Sequence, residues 1–259
     1  MNYTTDDIMC VTASRRLKNG VVCFVGIGLP STAANLARLT HANDVSLIYE
    51  AGPIGAKPTV LPLSIGDGEL AETADTVVST PEIFRYWLQG GRVDVGFLGA
   101  AQLDRFANIN TTVIGAYDKP KVRLPGAGGA PEIAACAKEV LIIIKQSPRT
   151  FVPKLDFITS VGHFDGGDAR KRLGLPGRGP VAVMTDLCVL EPEPASKELQ
   201  VVSLHPGVTR EQVSKATGWP LRFSADVRQT PPPTEAELVA LYALRKRTAE
   251  VHGTQGVSE

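Results

Sequence analysis

The stretch from Val21 to Gly55, VVCFVGIGLPSTAANLARLTHANDVSLIYEAGPIG, decides the fold class of this chain. Near its two ends lie short, continuous apolar runs, residues 21–25 and 45–49, and such runs are typical of strands buried on both faces. Between them, residues 31–39 form a predicted helix that begins just after a proline. A strand, a helix and a second strand in this order make a βαβ unit, which predicts a parallel sheet.

Further apolar runs and helix-capping signals continue the alternation of strands and helices outside this unit. Predicted strands cover residues 93–98, 140–144, 157–161 and 181–185. Predicted helices begin at Thr4 with Asp7, at Thr80-Pro81-Glu82, at Thr209 with Gln212 and at Thr234 with Glu237. We therefore predict an α/β protein with an open, mostly parallel sheet and flanking helices. Residues 1–252 are expected to form a single domain, followed by a flexible tail over 253–259.

The charge and hydropathy of the chain exclude two classes of partner. Lys and Arg together number 27, as do Asp and Glu, so the formal net charge is zero. Because no basic surface follows from this balance, a nucleic-acid partner is not expected. The longest apolar stretches, 21–29 and 140–144, fall short of the ~20 residues of a membrane helix. The acidic N-terminus also lacks the pattern of a signal peptide, so we expect a cytoplasmic protein.

The cysteines and histidines indicate neither a metal site nor a Ser/His/Asp catalytic group. The four cysteines lie far apart without a CxxC motif, and they are predicted to be plain buried thiols. The four histidines form no HxH or HExxH pattern, so no metal is expected. A GxSxG motif, which would support a nucleophilic serine, is missing as well.

The turn Gly26-Ile-Gly28-Leu-Pro30-Ser31 lies between a predicted strand and a predicted helix. Backbone N–H groups at such a helix N-terminus attract anions. The turn also has part of a dinucleotide-binding fingerprint, with Glu50 at the spacing of the ribose-binding acid. The third glycine is replaced by Ser31, so that match is weak. A tight turn that needs two glycines is the simpler interpretation.

Glu50 is the strongest catalytic candidate in the sequence. It follows an apolar strand within Tyr49-Glu50-Ala51-Gly52, at the carboxyl end of the strand, where open α/β sheets bind ligands. A carboxylate at such a place is paired, solvated or reactive. Gly52 allows close approach of a bulky ligand, and Ala51 lies on the substrate side. A structural or capping role for Glu50 is the alternative that the spacing leaves open.

Two later glycine-rich or small-residue segments supply further candidates. Gly99, Ala100 and Ala101 follow a predicted strand, and their backbone N–H groups can stabilise an oxyanion, although packing against a helix explains them equally well. The loop 124–131 can accept a long ligand arm or act as a flexible connection. Its candidate ligand-binding residues are Gly126, Gly128, Gly129 and Ala130.

The polar residues near the small-residue segment are candidates for contact with substrate. Gln102 ends that segment, and Asn108 and Asn110 lie in a polar turn. Asparagines in such turns commonly bond to nearby backbone, so Asx-type capping is the structural alternative.

These segments together resemble a known family. The resemblance is to the B subunit of class I coenzyme A transferases, and it covers residues 5 to about 220. Within that family, the passage YEAGPIGAKPTVLPLSIGDGELAETADTVV is most similar to members acting on 3-oxoadipate, and glutaconate-type members come next. The segments that carry the resemblance, in chain order, are GIGLP, the strand that ends in a Glu-x-Gly turn, GAAQ, NIN and GAGGA.

The resemblance implies a fold shared with ribose-phosphate isomerases and a separate A subunit, with the active site between the two chains. The assembly is then a heterodimer or heterotetramer. The implied activity is transfer of CoA from succinyl-CoA to 3-oxoadipate, with CoA as a substrate and as a transient covalent adduct rather than a resident cofactor. The implied nucleophile is Glu50. Close relatives commonly have Ser or Asn where this chain has Ala51, so a side-chain hydrogen bond to substrate is lost there.

Three other functions remain as alternatives. A glutaconate-type transferase differs only in the acid that receives CoA. An acyl-CoA hydrolase or decarboxylase has the same fold, but some such relatives lack the glutamate, and the presence of Glu50 argues against them. A non-catalytic ligand-sensing domain also shares this architecture, and it usually carries a DNA-binding segment that is not visible here.

Overall fold

The computed structural model describes residues 2–253, which divide into two compact units. The first unit contains the residues up to Phe97 together with the segment from Pro233 onward, and the second runs from Leu98 to Pro232. The expectation of a single domain stays a prediction. Of the predicted tail, residues 254–259 lie outside the described part of the chain.

Helices and strands alternate along most of the chain. The helices are α1 (Thr5–Ser14), α2 (Leu29–Thr40), α3 (Gly68–Glu72), α4 (Thr80–Glu82) with a π-helical continuation (Ile83–Leu88), α5 (Ala130–Cys136), α6 (Ala169–Arg172), α7 (Arg210–Lys215) and α8 (Glu235–His252). The strands are β1 (Val22–Phe24), β2 (Ser46–Ile48), β3 (Pro53–Ile54), β4 (Thr76–Val77), β5 (Val95–Leu98), β6 (Gln102–Leu103), β7 (Ile109–Asn110), β8 (Val113–Gly115), β9 (Pro120–Arg123), β10 (Glu139–Ile143), β11 (Pro180–Met184), β12 (Cys188–Pro192), β13 (Leu199–Leu204) and β14 (Arg222–Gln229).

The sheet of the first unit has the strand order β5-β1-β2-β3-β4. The three strands β5, β1 and β2 run parallel, with Cys23 paired to both Leu47 and Val95. Strands β3 and β4 add on in antiparallel direction at the edge. Helices α1, α2 and α8 pack against one another. The predicted βαβ unit and the open α/β sheet with flanking helices are confirmed.

The second unit has its own strand order, β14-β13-β12-β11-β10. Its outer pairs are parallel, whereas β12 runs antiparallel to both of its neighbours. Two small hairpins, β6–β7 and β8–β9, lie outside this sheet. The sequence predicted β10 and β11 but not β12 to β14.

One predicted strand is wrong. Residues 157–161 form only an isolated bridge, in which Ser160 faces Ile109. The N–H groups of Thr159 and Ser160 both donate to the Ile109 carbonyl, at 2.8 and 3.1 Å, so the two segments meet at one point instead of forming a ladder. An apolar run predicts a strand, but the strand forms only where a second segment pairs with it along its length.

The helix predicted at Thr80 begins one residue earlier than expected. The N-cap is Ser79, whose N–H and hydroxyl both donate to a carboxylate oxygen of Glu82, at 2.9 and 2.8 Å. Because Glu82 is the third helical residue counted from Ser79, the capping box requires this register.

The cysteines are free thiols, as the sequence predicted. Cys10, Cys23 and Cys188 are buried, and burial raises the pKa of the Cys10 and Cys188 thiols to about 12. Cys136 departs from the prediction of burial because it lies at the end of α5 and is partly exposed.

Two carboxylates join the first and last helices of the first unit. Asp7 is almost fully buried, and it accepts hydrogen bonds from Thr4, Tyr242 and Arg245. Glu237 accepts hydrogen bonds from both the Nε and Nη2 of Arg15, each at 2.7 Å. Burial opposes ionisation of both carboxylates. The hydrogen bonds outweigh it, so the pKa of Asp7 falls below its ordinary 3.8 and the pKa of Glu237 falls to about 2.

These depressed pKa values predict a loss of stability in acid. A carboxylate whose pKa is lower in the folded state stabilises the fold above its ordinary pKa, and it loses that effect as the pH falls through the folded pKa. For Glu237 this window runs from 4.5 down to about 2. Urea unfolding between pH 6 and pH 3 should show a falling free energy of unfolding. The fall should be shallower in Glu237→Gln than in the control Glu72→Gln, and equal slopes would contradict the assignment.

Candidate active site

Glu50 lies at the tip of a tight turn directly after β2. The Tyr49 N–H donates to the Pro53 carbonyl and the Gly52 N–H to the Tyr49 carbonyl, both at 3.0 Å. The chain then reverses into β3, which pairs antiparallel with β2. The turn therefore holds Glu50 and Ala51 beyond the carboxyl end of a parallel strand, where sequence analysis placed them.

The Glu50 side chain is available for chemistry. It is half-buried, and its carboxylate makes no hydrogen bond or ion pair with any of residues 2–253. A buried carboxylate normally has a partner, because losing water is costly for a charge. Since nothing in this part of the chain neutralises Glu50, a structural ion-pair role is not supported, and the carboxylate is free to meet a ligand.

Gly52 is required by the geometry of the turn. Its φ angle is +121°, and an added Cβ would lie 2.0 Å from the carbonyl oxygen of Val78. The Val78 N–H also donates a hydrogen bond to the Gly52 carbonyl at 3.1 Å, which holds these two backbone segments together. A side chain at this position must displace the backbone beside Glu50.

Gly52→Ala is therefore expected to lower the free energy of unfolding by more than the about 1–3 kcal/mol of a strained backbone position, because a steric clash adds to the strain. Urea denaturation measures this. The matched control is Gly66→Ala, because an added Cβ at Gly66 meets nothing closer than 3.9 Å and needs no positive φ. Equal midpoints for the two variants would contradict the required role of Gly52.

The Gly26–Gly28 turn lies next to the Glu50 turn. Strands β1 and β2 are parallel neighbours, so their carboxyl ends meet at the same edge of the sheet. Gly28, with φ +72°, is the N-cap of α2, and no side chain caps this helix. An added Cβ at either glycine would meet nothing within 4 Å. The helix N-terminus is thus open to an anionic group beside Glu50.

A buried polar chain supports both turns. The Tyr49 hydroxyl lies 3.5 Å from the Ser31 Oγ, and Asn35 Nδ2 donates to the Ser31 carbonyl at 3.0 Å. Arg38 continues the chain by donating to Asn35 Oδ1 at 3.3 Å. Tyr49, Ser31 and Asn35 are buried, and burial raises the pKa of Tyr49. The sequence analysis did not predict this set of hydrogen-bonded side chains, although a Ser and an Asn four residues apart in an apolar helix are a pattern that indicates it.

The remaining candidates belong to the second unit. Gly99, Ala100 and Ala101 follow β5 directly, with Gly99 exposed and the two alanines half-buried. Their role as oxyanion donors stays a prediction. Gln102 is buried, and its Oε1 accepts a hydrogen bond from Asn110 Nδ2 at 2.9 Å.

The two asparagines of the polar turn have structural partners. Asn108 is fully buried, donates to Asp104 and the Phe164 carbonyl, and accepts from the Gly162 and Phe164 N–H groups. Asn110 is also fully buried and bonds within its own turn, to the Val113 carbonyl and the Thr112 N–H. The bond from the Thr112 N–H to Asn110 is of the Asx type that the sequence analysis gave as the alternative, whereas Asn108 bonds to backbone 54 and 56 residues away. A contact of either side chain with substrate stays a prediction.

The glycine-rich loop ends in helix α5. Gly126 and Gly128 have φ angles of +105° and +49°, and Gly129 is the buried N-cap of α5 without a side-chain cap. An added Cβ at Gly126 would meet nothing within 4 Å. The space beside Gly126 is therefore open, and a role of this loop and Ala130 in binding a long ligand arm stays a prediction.

The candidate residues thus form two sets. The first unit holds Glu50, Ala51, Gly52, Gly26 and Gly28 around neighbouring strand ends, and the second unit holds the others. Within residues 2–253 no group of three or more His, Cys, Asp or Glu side chains could hold a metal ion. In that same part of the chain, no helix is both long and apolar enough to cross a membrane.

The chain belongs to the coenzyme A transferase family, whose model matches residues 7–216. It is 75% identical over 257 residues, 99% of both chains, to the B subunit of 3-oxoadipate CoA-transferase from Pseudomonas knackmussii. It is 35% identical to the B subunit of glutaconate CoA-transferase from Acidaminococcus fermentans, over 92% of this chain and 91% of the other. The resemblance drawn from the sequence motifs is confirmed.

A solved structure supports the fold. Glutaconate coenzyme A-transferase from Acidaminococcus fermentans superposes with a TM-score of 0.84 at 34% identity, covering 92% of this chain and 93% of the other. The predicted fold class of the coenzyme A transferases is confirmed, and this chain is part of an enzyme that uses CoA as a substrate.

Proposed function

We propose that this chain is the B subunit of a heteromeric enzyme that transfers CoA from succinyl-CoA to 3-oxoadipate, with Glu50 as the nucleophile. The observation that carries the proposal is the unpaired Glu50 carboxylate at the carboxyl end of β2. The 75% identity to the B subunit of a 3-oxoadipate CoA-transferase supports the acceptor and the need for an A subunit. A cytoplasmic location stays a prediction.

The chemistry suits a carboxylate that has no neighbouring base. A Glu50 oxygen attacks the thioester carbonyl of succinyl-CoA, the C–S bond breaks, and a mixed anhydride and the CoA thiolate result. The thiolate attacks the glutamyl carbonyl, the anhydride C–O bond breaks, and succinate leaves. A carboxylate of 3-oxoadipate then attacks the glutamyl thioester, and the same steps run in reverse. No proton changes hands, which explains why no histidine is needed beside Glu50.

In this scheme the glycine-containing segments stabilise negative charge next to Glu50 and bind the pantetheine arm of CoA. The N–H groups at the start of α2 offer an electrostatic site for a carboxylate or for developing negative charge next to Glu50. The open loop 126–130 accepts the pantetheine arm of CoA. Candidate oxyanion donors remain Gly99, Ala100 and Ala101.

The test is to trap the enzyme intermediate. The chain, assembled with its A subunit, is incubated with succinyl-CoA and no acceptor, then digested and analysed by mass spectrometry. We expect the peptide containing Glu50 to gain CoA with loss of one water, and hydroxylamine to remove the adduct. An adduct on another residue, or none during active turnover, would overturn the role of Glu50.

Assays with several acceptor acids show which acid receives CoA. With succinyl-CoA as donor, 3-oxoadipate should give a higher kcat/KM than glutaconate and than a 3-oxo monocarboxylic acid. A preference for glutaconate would favour the glutaconate-type alternative. Consumption of succinyl-CoA at the same rate without any acceptor would instead identify a hydrolase.

A further inference from the structure

Ser31 replaces the third glycine of a dinucleotide-binding turn, and its contacts give this residue a different role. It is the third residue of α2 and is almost fully buried. Its Oγ lies 3.5 Å from the hydroxyl of Tyr49, which is fully buried directly after β2. The start of α2 and the residue before Glu50 are therefore joined by two side chains inside the first unit.

Tyr49 carries both backbone hydrogen bonds of the turn that presents Glu50. Its N–H donates to the Pro53 carbonyl, and its carbonyl accepts from the Gly52 N–H, both at 3.0 Å. The side chain of Tyr49 is fully buried, whereas Glu50 next to it is only half-buried. Because the turn closes on Tyr49, any shift of Tyr49 also moves the Glu50 carboxylate.

The glycines before α2 contribute no side chain that could fix the start of this helix. An added Cβ at Gly26 or Gly28 would meet nothing within 4 Å. Gly28 is the N-cap, and no side chain caps the helix. Ser31 is the first buried residue of α2, so its contacts determine where the helix begins relative to the Glu50 turn.

Asn35 and Arg38 fix the orientation of Ser31. Arg38 donates from Nε and Nη2 to Asn35 Oδ1, both at 3.3 Å, and a guanidinium has no acceptor. The amide Nδ2 of Asn35 therefore faces Ser31, where it donates to the carbonyl at 3.0 Å and to Oγ at 3.4 Å. Arg38 is itself held by the Pro58 carbonyl, 2.6 Å from its Nη2. These bonds restrict the Ser31 side chain and keep its hydroxyl against Tyr49.

We propose that Tyr49 and Ser31 are positioning residues that hold the Glu50 turn at a fixed place beside the start of α2. The inference rests on the proposed function, because it assigns how the nucleophile of that reaction is aligned. The Glu50 carboxylate makes no hydrogen bond or ion pair with residues 2–253, so its alignment comes from the backbone that Tyr49 anchors. Alignment matters for the rate, since a misplacement of about 1 Å can cost 10²-fold.

Removal of single hydroxyl groups tests this role in the enzyme assembled with its A subunit. Tyr49→Phe and Ser31→Ala should each lower kcat with succinyl-CoA and 3-oxoadipate by about 10- to 100-fold, while KM stays unchanged. The rate at which CoA is attached to Glu50 should fall by the same factor. Since both hydroxyls act through one contact, the double variant should be no slower than the slower single variant.

The matched control is Tyr242→Phe, which removes a tyrosine hydroxyl that donates to Asp7 at 2.9 Å in the same unit. This variant should keep the kcat of the unaltered enzyme, and urea unfolding should place its midpoint close to that of Tyr49→Phe. A loss of kcat in Tyr49→Phe alone then reflects alignment and not a weaker fold. If Ser31→Ala does not fold, the comparison of the two Tyr→Phe variants still decides.

Three results would overturn the positioning role. They are an unchanged kcat in Tyr49→Phe, an equal loss of kcat in Tyr242→Phe, and a raised KM at unchanged kcat, which would indicate substrate binding instead. The proposed function fails on a different result, a CoA adduct on a residue other than Glu50. An adduct that forms on Glu50 at full rate in Tyr49→Phe would overturn the positioning role alone.

Discussion

Replacing Glu50 by alanine is expected to reduce CoA transfer by roughly 10⁴- to 10⁶-fold, the range found when a covalent nucleophile is removed. The reason is chemical, because the acyl group and CoA lose the one carboxylate that the described chain places, unpaired, at the end of β2. The fold should persist, since Glu50 makes no hydrogen bond or ion pair with residues 2–253. Steady-state assays with succinyl-CoA and 3-oxoadipate, together with urea unfolding, measure both effects.

Two further variants sharpen this prediction. Glu50→Asp keeps the nucleophile but withdraws it by one methylene, and a misplacement of about 1 Å can cost 10²-fold. We therefore expect an intermediate loss and a slower but detectable adduct. Glu72→Ala, which removes an exposed carboxylate of the same unit, should leave transfer unchanged. Activity of Glu50→Ala at the level of Glu72→Ala would refute the nucleophile assignment.

Replacing Arg170 by methionine is expected to destabilise the fold by at least about 3 kcal/mol, because several buried carbonyls lose their donor together. Only 8% of Arg170 is exposed. Its guanidinium donates to the carbonyls of Gly177 at 2.9 Å, Gly162 at 2.8 Å, and Ala134 and Ala135 at 3.0 and 3.1 Å. Burial lowers the pKa of Arg170 to about 10, so it stays charged at neutral pH.

The control for Arg170 lies two residues away. Arg172 belongs to the same helix and forms exposed ion pairs with Asp165 and Asp168. Surface pairs of this kind contribute little, so Arg172→Met should move the urea midpoint far less than Arg170→Met does. Similar midpoints for the two variants would show that the carbonyl contacts of Arg170 add nothing. Because Ala134 and Ala135 lie in the last turn of α5, the same contacts also anchor the helix that follows the glycine loop.

Short sequence patterns predicted the helix N-termini and the buried strands of the first βαβ unit, because these features depend on residues that are close together in the chain. The capping boxes at Thr4 with Asp7, Thr209 with Gln212 and Thr234 with Glu237 are all present in the structure. A cap satisfies backbone donors within four residues, so its pattern is complete in the sequence. The same holds for the strand runs around 21–25 and 45–49, whose continuous apolar character requires burial on both faces.

The missed and mistaken elements depend on a second segment that lies beside them, and not on their own residues alone. Strands β12 to β14 pair across residues 188–229, and β14 has an exposed face that carries no apolar run. The segment 157–161 is apolar enough for a strand, but its pairing is limited to an isolated bridge between Ser160 and Ile109. Strand pairing is a property of two segments, so a single run cannot determine it.

The sequence by itself determined the alternating α/β order, the catalytic candidate Glu50 and, through its motifs, the family. These follow from residue type and spacing alone. Only the tertiary structure decided that Glu50 has no partner among the described residues, that Asn108 and Asn110 are committed to structural hydrogen bonds, and that Arg170 binds carbonyls from three segments. Burial and pairing arise when distant residues meet, and the free energy of each polar group depends on which neighbours it then finds.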